Sequence, residues 1–263
     1  MMSALEAVIL GLIQGLTEFL PVSSSGHLTI AKALFGIETE DLCFEVLSHA
    51  ATVCATIIVF RKEILDLLRG LFKFRYNSQT RYICMIAVSM IPVFVVGMLF
   101  KDKIEALFGS GLAVVGAALL VTALLLFFSG RQTGRQTEPM SYKSAFIMGI
   151  AQAVAVIPGL SRSGSTIATG LICGARRDQV AQFSFLMVLV PILGEAFLEL
   201  VGGEIAESAV GVLPLAVGFV AAFVSGLFAC KFMIAMVKKA KLHWFAIYCA
   251  LVGAACLVSS FVS

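Results

Sequence analysis

Two polar phrases in a greasy chain decide the fold: Pro21-Val22-Ser23-Ser24-Ser25-Gly26-His27, and Pro158-Gly159-Leu160-Ser161-Arg162-Ser163-Gly164-Ser165-Thr166. A slide of 138 positions, without a gap, lays the first region on the second. It pairs Ala7 with Ala145, Ile9 with Ile147, Gly11 with Gly149, Gln14 with Gln152, Ser23 with Ser161, Ser25 with Ser163 and Gly26 with Gly164. Serines, a histidine and an arginine are costly at membrane depth. A chain that uses them twice at matching places is expected to build one site from two related halves.

Membrane depth follows from composition. The chain is 60% hydrophobic and only 13% charged, with a mean hydropathy of +1.01, far from the balance of a soluble domain. Apolar runs long enough to span cover residues 44–60, 82–100, 112–128, 180–200, 210–230 and 244–262. The expectation is an all-α polytopic membrane protein forming a single integral membrane domain over 1–263. The start of the chain carries Glu6 and no basic leader, so no removable signal peptide is expected. The seven cysteines show no CxxC pair and read as small hydrophobes. His243 beside Trp244 reads as an interfacial anchor. With a net charge of +3 spread over loops, no nucleic-acid partner is expected; the partner is the bilayer.

The loops set the orientation. Arg61, Lys62, Arg69, Lys73, Arg75 and Arg81 fill the first long loop, and Arg131, Arg135 and Lys143 the mid-chain connector. Arg176 and Arg177 follow the second phrase, and Lys231, Lys238, Lys239 and Lys241 precede the last span. Alternate loops hold Lys32, Lys101 and Lys103 but also Glu38, Glu40, Asp41, Glu204 and Glu207. The positive-inside rule puts the basic loops in the cytoplasm and both termini outside. The first phrase is then entered from outside and the second from inside. They can cooperate only if each belongs to a re-entrant helix pair that turns near the midplane, where irregular backbone is tolerated if buried in protein or lining a watery cavity. This gives two inverted repeats, about 1–129 and 140–263, each a re-entrant pair plus three transmembrane helices. Full hairpins, giving ten spans, stay open.

The phrases suit an anion. Each puts serines before a new short helix, whose free N–H groups and positive dipole end cradle phosphate. Gly26 and Gly164 allow close backbone approach. Arg162 adds a planar fork for two phosphate oxygens, with Thr166 one turn on. Upstream, Gln14 and Glu18 share a helix face aimed at the loop. Glu18 is a candidate general base, metal ligand or ion-pair partner of Arg162; His27 can shuttle protons. His49, in the next span, is a candidate supporting partner.

These residues carry a resemblance. The run from Gly15 through Glu18 to His27, with the later run from Pro158 to Thr166, resembles the undecaprenyl-diphosphate phosphatase family, also known as bacitracin-resistance proteins. The likeness extends over the whole chain, through Phe44-Glu45-Val46, Phe183-Ser184-Phe185-Leu186 and Phe245-Ala246-Ile247-Tyr248. It implies an inverted-repeat fold, hydrolysis of undecaprenyl diphosphate to the monophosphate on the outer face of the bacterial inner membrane, and support by magnesium or calcium. Carried over, it puts the acidic motif on Gln14 and Glu18, the serine motif on Ser23, Ser24, Ser25 and His27, and phosphate binding on Ser161, Arg162, Ser163 and Thr166. One position departs: the family's first acid is often glutamate, and here it is Gln14. Glu18 must then carry base or metal duty alone. The expected catalytic set is Glu18, Ser24, His27 and Arg162, with Ser24, Ser23 or water as nucleophile. A flippase for the monophosphate lipid remains the alternative, and a homodimer the candidate assembly.

Overall fold

The structure is a computed structural model that describes residues 2–37, 42–108, 111–131, 137–194 and 210–262. Glu38, Glu40, Asp41, Arg135, Glu204 and Glu207, used above to orient the loops, lie outside the described residues. The first helix, α1 (Ala4–Phe19), starts on a Ser3–Glu6 capping box. It ends where Pro21 forces Leu20 into an extended conformation. The helices α2 (Ser24–Phe35), α3 (Leu42–Val59), α4 (Arg61–Leu71), α5 (Ser78–Leu99), α6 (Lys101–Phe108) and α7 (Gly111–Arg131) complete the first half. The second half holds α8 (Tyr142–Val154), α9 (Arg162–Ile172), α10 (Arg177–Met187), α11 (described over 189–194), α12 (Val212–Lys238) and α13 (His243–Val262). Among the described residues there is no strand, only an isolated bridge between Glu138 and Ala175.

Four of the described helices are long and apolar enough to cross a membrane: α5, α7, α12 and α13. The pair α3 and α4 meets the same standard together but bends by 76° between them. This makes a multi-pass membrane protein. Three expectations are corrected. The apolar run 180–200 is not one continuous helix, because α10 stops at Met187. Pro191 explains the stop: its ring clashes with the carbonyl four residues back, which is that of Met187, and it offers no N–H. Arg61, Lys62 and Arg69 are not loop residues but belong to α4. Lys32 is likewise helical, within α2, and pairs with Glu45. The cysteines form no disulfide among the described residues; Cys54 and Cys173 are exposed and Cys43, Cys230, Cys249 and Cys256 are buried.

Glycines set the closest helix contacts. A Cβ at Gly15 would lie 2.1 Å from Ser225 Oγ, so α1 rests directly on α12. One at Gly149 would lie 2.2 Å from the Ser89 carbonyl, where α8 rests on α5. Gly116 and Gly253 face each other across α7 and α13, each added Cβ being 2.8 Å from the other residue's carbonyl oxygen. Such small-residue contacts are how helices associate where lipid removes the hydrophobic drive. The second arm α2 lies against α7, and α9 lies among α7, α8 and α10. The two polar phrases therefore end side by side in the protein interior.

Candidate active site

Each phrase folds the same way. Ser23 caps α2 with its Oγ accepting from Gly26 N–H at 3.2 Å, and Ser161 caps α9 by accepting from Gly164 N–H at 3.0 Å. The next serines then cross over. Gly159 N–H donates to Ser25 Oγ at 3.3 Å, and Ser163 Oγ donates to the Leu20 carbonyl at 3.1 Å. Each half thus closes on the other half's loop. Ser161 N–H also donates to Thr122 Oγ1 of α7 at 3.1 Å.

Ser23 sits at φ 72°, in the left-handed region, a conformation that costs a non-glycine residue about 1–3 kcal/mol. It is held there from several sides. Its carbonyl accepts from His27 N–H at 3.2 Å and meets His27 Nδ1 at 2.9 Å. Because that carbonyl can only accept, Nδ1 carries a proton; the neutral ring then accepts at Nε2 from the Tyr248 hydroxyl, 2.7 Å away. His27 and Tyr248 also stack, with ring centroids 5.6 Å apart. Both ring nitrogens of His27 are engaged, neither with Ser24. The ring fixes the loop that carries the serines.

Glu18 is the centre of the site. Its side chain is 8% exposed. Oε2 accepts from Ser24 Oγ at 2.7 Å and from Gln14 Nε2 at 3.1 Å, while Oε1 accepts from Arg162 Nη2 at 3.1 Å. His49 Nε2 lies 3.8 Å from Oε2. One carboxylate therefore joins the first residue of α2, the first residue of α9 and α3. Beside it opens a cavity of about 310 Å³ lined by Glu18, Ser23, Ser24, Ser25, Ser161, Arg162 and Ser163 among others. Thr166 is turned away from this cavity: it is buried, and its hydroxyl meets Ser184 Oγ at 2.6 Å and the Arg162 carbonyl at 2.9 Å.

Residues that the sequence did not mark as site candidates also line the cavity. Lys32 and Glu45 form an ion pair on its wall, with Thr29 nearby. Gln152 lines it too. Glu45 had a weak signal, being one helical turn before His49. Tyr248 lies in a stretch that carries the resemblance, but nothing in the sequence pairs it with His27, 221 residues away.

The chemistry open to this site is that of an anion. Two helix starts present N–H groups and positive dipole ends, and a guanidinium and a hydroxyl share one carboxylate. For a divalent cation the residues alone are a poor fit. Among the described residues no group of three or more His, Cys, Asp or Glu could hold a metal ion, and both Glu18 oxygens are already engaged.

Fold and site together define a multi-pass helical membrane protein with an interior cavity, lined by serines, an arginine and a glutamate, between two helix–loop–helix units. The chain belongs to the family described as bacitracin resistance protein BacA, whose profile matches residues 7–255. It is 60% identical to a Bacteroides fragilis protein named undecaprenyl-diphosphatase, covering 97% of each chain. Relatives of the same name from Carboxydothermus hydrogenoformans and Methanosphaera stadtmanae are 40% and 38% identical; the first covers 98% of this chain and 97% of its own, the second all of both.

Proposed function

We propose that this chain is an undecaprenyl-diphosphatase: it hydrolyses undecaprenyl diphosphate to undecaprenyl phosphate and inorganic phosphate. The family and the shared name of its relatives support the reaction. The observation that carries the mechanism is the 2.7 Å hydrogen bond from Ser24 Oγ to Glu18 Oε2. A hydroxyl that donates to a carboxylate is a nucleophile with its base in place. Ser23 is less suited, since its Oγ is spent on the Gly26 cap.

Ser24 Oγ attacks the terminal phosphorus as its proton passes to Glu18. The bond from that phosphorus to the bridging oxygen breaks, and undecaprenyl phosphate leaves with the electron pair and takes up the proton held by Glu18, which restores the carboxylate. Water, deprotonated by the same carboxylate, then attacks the phosphoserine and releases inorganic phosphate, returning the proton to Ser24. Arg162 and the N–H groups at the starts of α2 and α9 take up the charge on the phosphoryl oxygens. Positioning and charge neutralisation supply most of the catalysis in such transfers. Because the residues present fit a divalent cation poorly, a magnesium or calcium ion would belong to the proposal only as one carried in by the diphosphate and held by its phosphates, where it would neutralise charge on them.

The architecture we propose is the pair of inverted repeats. Its support is the correspondence of α1 with α8, α2 with α9 and α5 with α12 near the 138-position offset, with α7 and α13 closing the two halves in the same order, and a contact pattern that respects it. The first arm of each half packs on the long helix of the other, α1 on α12 and α8 on α5, while α7 and α13 pack on each other. The charge pattern supports both termini outside and a site open to the outer face of the inner membrane. The test of the reaction is phosphate release by purified protein in detergent, with rapid quench and mass spectrometry of the Ser24 peptide. An adduct of one phosphoryl group at Ser24 is expected. Full turnover by Ser24→Ala would refute the nucleophile.

A further inference from the structure

Among the groups lining the cavity, Gln152 stands out. It is 2% exposed, and neither Nε2 nor Oε1 has a hydrogen-bond partner among the described residues. Gln152 contributes to the cavity lining, and burying an amide with nothing to bond costs about 1–3 kcal/mol per unpaired group, so an unpartnered amide in the cavity wall points to a polar ligand. Its counterpart in the first half is Gln14, whose Nε2 is committed to Glu18. The hydroxyls near Gln152 are also committed: Ser161 caps α9, and Ser163 donates to the Leu20 carbonyl.

The surroundings of Gln152 say which part of the ligand it meets. The lining that comes from α1 to α3 is mostly polar and includes Glu18, Ser24 and His49, with Leu28 and Val46 as its apolar members. On the side of α8 and α5 it is apolar, with Ala155, Val156, Leu160 and Val93 beside Gln152. A lipid diphosphate presents the same order: a terminal phosphate, a retained phosphate, then hydrocarbon. With the terminal phosphorus at Ser24, an amide on the apolar wall falls next to the retained phosphate. An amide also suits that group, because it can donate to a P–O⁻ and accept from a P–OH. In the diphosphate the retained phosphate carries a single ionised oxygen to which the amide donates; once released as a monoester it holds both forms near neutral pH, with a second pKa of about 6.

We infer that Gln152 is a substrate-binding residue, assigned to the lipid-proximal phosphate that stays on the carrier. This rests on the hydrolase reading above. The two products separate the two phosphate positions: undecaprenyl phosphate reports the retained one and inorganic phosphate the terminal one. Gln152→Glu keeps size and shape but sets a carboxylate against a phosphate; Gln152→Met keeps length and removes both polar atoms.

The experiment measures phosphate release from undecaprenyl diphosphate in detergent by wild type and both variants, with each product as competitive inhibitor. The KM for diphosphate and the Ki for undecaprenyl phosphate should rise together, at least tenfold for Gln152→Glu and about three- to tenfold for Gln152→Met, the loss of one or two hydrogen bonds. The Ki for inorganic phosphate should change by less than twofold. If one variant does not fold, the other decides. Unchanged Ki for undecaprenyl phosphate in an active variant overturns the inference and leaves the hydrolase reading standing, as does a rise confined to inorganic phosphate. A wild type that releases no phosphate overturns both.

Discussion

Replacing Glu18 by Gln separates chemistry from architecture, because Gln14 can repair the second but not the first. The carboxylate accepts from Ser24 and Gln14 at Oε2 and from Arg162 at Oε1. In Glu18→Gln the new carbonyl oxygen will face Arg162, the strongest donor, and the new NH₂ will face Ser24 and Gln14. Gln14 Oε1 has no partner among the described residues, so its amide can flip and accept from the new NH₂. The hydrogen-bond count is then preserved, and Ser24 turns from donor to acceptor. What is lost is the base and the counter-charge of Arg162. Breaking a fully buried ion pair costs about 3–5 kcal/mol, but the Arg162 side chain is 28% exposed and stays hydrogen-bonded, so the loss of stability should be well below that range. Loss of general-base help is about 10²–10⁴-fold, or about 3–5 kcal/mol on the barrier. Gln14→Ala removes one hydrogen bond to a charged group, about 1.5–3 kcal/mol at most, and leaves the base; a fall of about tenfold is expected. The assay is kcat and KM for phosphate release, read beside the thermal midpoint of each variant in the same detergent. Equal, severe losses of turnover in the two variants would refute the division of labour, and so would Glu18→Gln keeping more than a tenth of wild-type turnover.

Other outcomes follow from the same geometry. Arg162→Lys keeps the charge but loses the planar fork, so turnover should fall by about 10²-fold or more, in line with loss of a key charge-stabilising donor, while the protein still inserts; near wild-type turnover would make Arg162 a structural counter-ion only. Gly15→Ala drives a methyl to 2.1 Å from Ser225 Oγ and should destabilise by at least about 1–3 kcal/mol; Gly97→Ala, with nothing within 4 Å, should be neutral or stabilising by up to about 1 kcal/mol, and equal thermal shifts would mean that α1 does not rest on α12. With the native cysteines removed, a cysteine at Glu38 should be labelled from outside the cell by an impermeant thiol reagent, and one at Asn77 or Lys239 should not; labelling of Asn77 would reverse the orientation.

The sequence carried the skeleton of this site and left out its fine assignments, for physical reasons. Membrane spans are legible because hydrocarbon demands long apolar runs, and α5, α7, α12 and α13 lie on four of the runs expected. The break between α10 and α11 had a signal in Pro191, which a reading by hydropathy alone passes over, since proline does little to the local average. Arg61, Lys62 and Arg69 read as loop because their charge dominates; the amphipathic spacing of Ile64, Leu67 and Leu68 between them was the sign of α4. Convergence of the two phrases was legible from the 138-position slide together with the charge pattern, because two costly polar loops at depth need a shared purpose. The partners of His27 and Thr166 were not. Tyr248 and Ser184 are brought to them by tertiary packing, and a hydroxyl in an apolar helix carries no mark of which way it points.

In the proposed pair of inverted repeats, a duplicated element becomes a one-sided site. Ser24 and Arg162 occupy the same position in the slide, each as the first residue of its helix. A helix start is where a side chain can reach across to the facing loop while its own N–H points the same way. In one half that position holds the hydroxyl, in the other the guanidinium, and both converge on Glu18. The position equivalent to Glu18 is Val156, which also lines the cavity. A symmetric arrangement would set two carboxylates against two serines, leaving an anion to face doubled negative charge; or it would set two arginines together with no base. Breaking the pair at positions 18 and 24 gives one wall that can move a proton and one that can hold a phosphate beside hydrocarbon. Gln14 and Gln152 are one of the pairs that did not change type, yet Glu18 ties up the first while Val156 cannot engage the second. The same amide is therefore a support on one side and an open binding group on the other, and the difference comes from its neighbour four residues on rather than from the amide itself.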